Sequence, residues 1–242
     1  MPDVDRLRRY AENGDCEAGY TLGRVYYQGD GVQQSDREAA KWFKLVAEKG
    51  YDKAQYNLGL MYAHGRGVRK DYAEAVRWYR LAAKQGNAGA QLNLGVMYAH
   101  GKGVTQSGAE AVKWWKLAAD QGNPTAQNNL GLAYANGRGA KENAEEAVKW
   151  YKYAALQGNA DAQCNLGGMY ANGKGVTADY DEAIRLWRQA AAQGHSGAQY
   201  NLGVVYEAGI GVPKDCDQAK KWYASAAGKG HDRARSALAK MK

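Results

Sequence analysis

The tripeptide Asn-Leu-Gly recurs at Asn57, Asn93, Asn129, Asn165 and Asn201, every 36 residues and without insertion. A variant, Thr21-Leu22-Gly23, precedes the series in phase. A fixed period of this length marks a repeat architecture, in which each repeat cannot bury its apolar face alone and must stack on its neighbours. Four glycine columns keep the same step (Gly14 to Gly230, Gly23 to Gly203, Gly29 to Gly209, Gly31 to Gly211) and hold 25 of the 31 glycines. So much glycine would otherwise suggest collagen or disorder. The chain has only 3 prolines and no Gly-X-Y period, and 45% of it is hydrophobic and 11% aromatic, which excludes both.

Residues 51–86 serve as the type repeat. Ala54, Leu58 and Tyr62 recur at four-residue spacing and predict one face of a first helix. Gly59 lies beside that face, where a missing Cβ admits a neighbouring helix. Gly65 and Gly67 predict the turn that follows. The column Ser35, Asp71, Ser107, Asn143, Asp179, Asp215 supplies N-caps for a second helix. Three residues later stand Glu38, Glu74, Glu110, Glu146, Glu182 and Gln218, which completes a capping-box pattern in every repeat. The second helix carries Ala75, Trp78, Tyr79, Ala82 and Ala83 inward and stops before Gly86.

The fold class predicted is all-α, an α/α solenoid of helix-turn-helix repeats wound as a right-handed superhelix, with about 14 helices. The chain reads as a single domain, 1–242, of eight parts. A half-repeat at 3–14 leads; six repeats follow at 15–50, 51–86, 87–122, 123–158, 159–194 and 195–230; a capping half-repeat closes at 231–242.

The recurrent Ala-x-Ala-Gln-x-Asn-Leu-Gly-x-x-Tyr, as in Ala88 to Tyr98, continues into Gly101-x-Gly103-Val104 and into Ala111 to Ala119. This pattern resembles the Sel1-like repeat family, a relative of the tetratricopeptide repeat, over roughly residues 14–242. The resemblance implies a scaffold or adaptor that holds protein partners. Some cysteine-rich bacterial members carry a β-lactamase label, with disulfides stapling paired helices. Cys16, Cys164 and Cys216 fall at different repeat positions, so that subgroup and its hydrolase activity are not expected here.

A helical wheel places the partner site on the side of the first helices facing away from Leu58 and Tyr62, the expected concave groove. The candidate groove residues are Tyr20, Arg24, Tyr27, Tyr56, Leu60, His64, Leu92, Val96, His100, Asn128, Leu132, Asn136, Asn172, Tyr200 and Val204. A run of Tyr, Leu and Val turned from the core is the kind of apolar strip that marks an interaction site. Three glycines outside the columns, Gly89, Gly168 and Gly197, fall on the same face and would leave room for a partner. Asn57, Asn93, Asn129, Asn165 and Asn201 sit at the groove edge, either to hydrogen-bond a ligand backbone or, as exact repetition favours, to bond between helices.

Net charge is +8, which raises the question of an acidic partner. Two basic columns, Lys41 to Lys221 and Lys44 to Arg188, fall on the outer side of the second helices, where local pairing with the cap glutamates is expected. Nucleic-acid binding is not expected, because the aromatics are buried by pattern. His64 and His100 are equivalent, as are His195 and His231, and they read as polar residues near helix ends rather than as metal ligands. No cofactor and no catalytic residue are expected. The partner is another protein: a peptide segment, a helix or a toxin domain. The alternative function is an immunity protein that neutralises a bacterial toxin such as a secreted phospholipase. The polar N-terminus and the lack of a long apolar run predict a cytoplasmic protein with no membrane span, or a periplasmic or secreted one where a signal peptide has been removed.

Overall fold

The structure, a computed structural model, describes residues 3–241. They form fourteen α-helices and no strand: α1 (Val4–Glu12), α2 (Cys16–Gln28), α3 (Asp36–Glu48), α4 (Asp52–His64), α5 (Tyr72–Lys84), α6 (Ala88–His100), α7 (Gly108–Asp120), α8 (Pro124–Asn136), α9 (Ala144–Leu156), α10 (Ala160–Asn172), α11 (Tyr180–Ala192), α12 (Ser196–Ala208), α13 (Cys216–Gly228) and α14 (Asp232–Lys240). Even numbers mark the first helix of a repeat and odd numbers the second. The all-α repeat fold read from the 36-residue period is the one found. The helices gather into two compact units, Met1–Gln121 and Gly122–Lys242.

No repeat has a core of its own. In the first unit, Ala39, Phe43 and Val46 of α3 pack with Ala54, Leu58 and Met61 of α4 and with Trp78 of α5. In the second, Val148 and Tyr151 of α9 pack with Leu166 of α10 and Leu186 of α11. Each cluster is shared by two successive repeats, so stacking is what removes the apolar stripe from water. Leu22, Leu58, Leu94, Leu130 and Leu202 are wholly buried, each stabilising by about 1.5–3 kcal/mol relative to exposure. Within the second unit α8 touches α10 and α12 touches α14, which places first helices next to one another along one side of the stack.

Close approach inside a repeat depends on the glycine of Asn-Leu-Gly. A Cβ on Gly59 would lie 2.6 Å from the Tyr79 ring, and one on Gly203 2.5 Å from that of Tyr223. Between repeats the constraint is tighter: a Cβ on Gly67 would lie 2.0 Å from the Asp36 carbonyl oxygen, at the start of the preceding second helix. Gly65 ends α4 in the left-handed region, at φ 72°, as the turn requires.

The second-helix caps form as the sequence predicts, in half. Ser35, Asp71, Ser107, Asn143, Asp179 and Asp215 each accept the backbone N–H three residues on, at 2.9–3.2 Å. The reciprocal arm of the box is absent. The N-cap N–H groups instead donate to the carbonyls of Tyr26, Tyr62, Tyr98, Tyr134, Tyr170 and Tyr206, at 2.9–3.1 Å. The glutamates are thereby free to pair with the cation three residues on: Glu38 with Lys41, Glu74 with Arg77, Glu110 with Lys113, Glu146 with Lys149 and Glu182 with Arg185, at 2.5–3.7 Å.

A buried glutamine ladder holds successive repeats together. Gln55, Gln91, Gln163 and Gln199 donate to the carbonyls of Ala47, Ala83, Ala155 and Ala191. Gln85, Gln121, Gln157 and Gln193 in turn donate to the side-chain oxygens of Gln55, Gln91, Gln127 and Gln163, at 2.7–2.9 Å. A buried amide left without partners would cost on the order of 1–3 kcal/mol, so the ladder specifies how repeats stack. The ladder stops at Gln199, whose Oε1 has no partner, because residue 229 is Lys where the four preceding repeats have Gln.

Candidate functional site

The first-helix face is more closed than a single-helix wheel implies. In the first unit Tyr20, Tyr27, Tyr56, Leu60, Leu92 and Val96 are half-buried, and Arg24, His64 and His100 are exposed. In the second, Tyr200 and Val204 are half-buried and Leu132, Asn136 and Asn172 are exposed. Asn128 is the exception. It is buried, at 5% exposure, and its Oδ1 accepts from Asn165 at 3.1 Å, so it joins two repeats instead of facing a partner.

The second helix of the same repeat, and in places the next repeat, take up much of the expected aromatic strip. The Tyr20 ring lies 5.8 Å from Phe43 and 5.4 Å from Tyr51. Tyr56 packs on Tyr79, and Tyr200 lies between Tyr223 and His231. The groove-edge asparagines point to the same column. Asn57 donates to the Tyr20 hydroxyl at 3.3 Å, Asn165 donates to Asn128, and Asn201 approaches the Cys164 sulfur. These amides are therefore inter-repeat bonds, the alternative that their repetition favours. Asn129, in the same register, is half-buried.

Two of the three odd glycines also serve the chain itself. A Cβ on Gly89 would meet the Tyr56 ring at 2.9 Å, and one on Gly197 the His195 ring at 3.1 Å. Only Gly168 opens onto free space.

A cleft of about 300 Å³ opens between α2 and α4, lined by Tyr20, Arg24, Tyr27, Gln28, Asn57, Leu60, His64 and Arg66, with Phe43 and Met61 also in its lining. Its walls are fixed from behind. Arg66 forks onto both carboxylate oxygens of Asp36, at 2.9 and 3.1 Å. The same guanidinium lies over the Tyr27 ring, 4.1 Å from its centroid, and bonds the Tyr27 hydroxyl.

The histidines divide by role. His64 and His100 are exposed at the ends of α4 and α6. His195 and His231 are N-caps, each accepting a backbone N–H on Nδ1, from Ala198 at 3.0 Å and from Ala234 at 3.2 Å. The cap column to which they belong, Asp15, Asn87, Asn123, Asn159, His195 and His231, escaped the sequence reading. Asn at three of its positions was the available signal. Among the described residues no group of three or more His, Cys, Asp or Glu is placed to hold a metal ion, and no helix is long and apolar enough to cross a membrane. Burial pushes the Cys164 thiol up to about 12.

On the second helices most of the outer basic columns are paired with carboxylates. Besides the glutamate pairs, Lys44 and Lys116 meet Glu48 and Asp120, while Arg80 and Arg188 keep their charge and donate to the hydroxyls of Tyr98 and Tyr206. The sequence reading missed the apolar residues between them. Leu45, Leu81 and Leu117 in the first unit are 39–43% exposed, and Leu156 in the second is 86% exposed. The 36-residue step of the three leucines was a visible signal.

Comparison with known proteins follows the same lines. The model of a family described as Sel1 repeat matches residues 17–51, 52–87, 88–123, 124–159, 160–195 and 196–231. Among solved structures, a protective antigen of uropathogenic Escherichia coli strains, displaying an SLR fold, is 41% identical, with a TM-score of 0.89 over 98% of this chain and 51% of that one. The chain thus spans about half the length of that relative. A Sel1 repeat protein of Oxalobacter formigenes is 34% identical, with a TM-score of 0.80 over 88% of this chain and 85% of that one. An immunity protein of Pseudomonas aeruginosa is 22% identical, with a TM-score of 0.55 over 92% of this chain and 82% of that one, a likeness of fold. No curated protein matches the chain.

Proposed function

The chain belongs to the Sel1 repeat family, whose members mediate protein–protein interaction, and from that membership we propose a non-enzymatic adaptor that holds a partner protein against the first-helix face of its repeats. One observation carries this reading. The scaffold is built from the same packing contacts in repeat after repeat, while the side chains left at its first-helix surface vary along the chain. Arg24, Leu60, Val96, Leu132, Gly168 and Val204 occupy one register with four residue types, Arg, Leu, Val and Gly, on one repeated frame. A rigid frame with a variable, partly apolar face suits recognition of an extended or helical segment.

Affinity purification with mass spectrometry should return a partner, and Leu132→Asp should weaken its capture. Leu132 is 39% exposed, so the variant should keep the wild-type melting profile. A variant that folds and captures its partner undiminished would refute the groove. The immunity-protein reading is supported only by a shared fold, and protection on co-expression with a cognate toxin is its separate test.

A further inference from the structure

We propose that the cleft between α2 and α4 docks an acidic peptide segment, seating an apolar side chain among Tyr20, Tyr27 and Leu60 and presenting a carboxylate to Arg24. This rests on the first-helix face being the partner surface and names the partner's chemistry at one place on it.

The sequence breaks its own pattern at this cleft. Arg24 stands in a register otherwise filled by Leu60, Val96, Leu132, Gly168 and Val204. Tyr27 stands where the next four repeats have Ala63, Ala99, Ala135 and Ala171 and the sixth has Glu207. The repeat fold needs neither residue, since it forms elsewhere without them. Both line the same cleft. Two independent departures that meet at one opening are accounted for by what enters it.

The charge in the cleft has one sign. No carboxylate lines it. Arg66 is already engaged by Asp36 through two bonds. Arg24 is exposed and makes no hydrogen bond or ion pair with any described residue, which leaves its planar fork free for an incoming carboxylate. Beside it the tyrosines offer apolar faces already held in place, Tyr20 by Asn57 and Tyr27 by Arg66. A volume near 300 Å³ suits one anchoring side chain and its flanking backbone. A phosphate backbone fits less well. It draws on several free cations in a row, and the first basic column of this chain is paired with its own glutamates at five of its six positions.

The test uses a displayed library of random peptides selected on the full chain. Enriched sequences are then measured by fluorescence polarisation on the wild type and on Arg24→Leu, Tyr27→Ala and Leu132→Asp. The first two substitutions install residues that other repeats carry, so folding should hold, and a thermal melt checks it. The expected result is Asp or Glu beside an aromatic or branched apolar residue, with binding weakened about tenfold or more by Arg24→Leu and by Tyr27→Ala. Enriched peptides without acidic residues, or displaced from the cleft by an oligothymidylate probe, would overturn the proposal. Peptides that ignore Arg24→Leu and Tyr27→Ala but are lost on Leu132→Asp would overturn it and leave the groove reading standing. Peptides indifferent to all three, or no enrichment, would overturn both.

Discussion

A methyl group added at Gly131 would sit 2.4 Å from the Tyr151 ring, closer than any real contact allows. Gly131→Leu should therefore cost on the order of 1–3 kcal/mol in urea denaturation. Gly168 lies within α10 with open space around it, so Gly168→Ala should instead stabilise by roughly 0.5–1 kcal/mol. Were the two effects reversed, the assignment of faces would be wrong. Gly131 was legible in the sequence because its column pairs in phase with an aromatic column on the second helix. Gly89 was not. The space it leaves is filled by Tyr56 from the preceding repeat, and a wheel drawn for one helix contains no neighbour. The same blindness put Asn128 on the open face.

Helix by helix, the caps carry more than the charges around them. Asn143→Ala removes the acceptor for the Glu146 N–H and should cost about 1 kcal/mol. Glu146→Ala should cost only a few tenths, because its side chain makes a solvent-exposed pair with Lys149 and no capping bond. Thermal melts of the two variants separate this arrangement from a full capping box, in which both would cost alike. Residue type and spacing were enough to foretell the N-cap bonds, since both partners lie within one turn. The missing arm was not legible, because its substitute acceptor, a tyrosine carbonyl such as Tyr134, is brought to the cap only by the path of the glycine turn.

For the molecule as a whole, the period implies that a repeat can be taken out. Excising residues 51–86 joins Gly50 to Asn87 and brings Gln91 into the register where Gln55 now meets Ala47. Lys102 would face Asp36 in place of Arg66. Repeat stabilities add to nearest-neighbour terms, so the shortened chain should keep its mean helicity by circular dichroism and unfold cooperatively at a lower midpoint. Loss of helicity per residue would show that the ladder does not transfer between repeats. The net charge of +8 is similarly a property of the whole with little local meaning, since the ordered cations are mostly paired.

The fork of Arg66 on Asp36 and Tyr27 ties the second repeat's turn to both helices of the first. Its consequence lies in kinetics. A wall already in its final shape asks an arriving segment to order only itself, so encounters need not wait for the receptor to rearrange. Segments of different fit would then arrive at similar rates and differ in how long they stay.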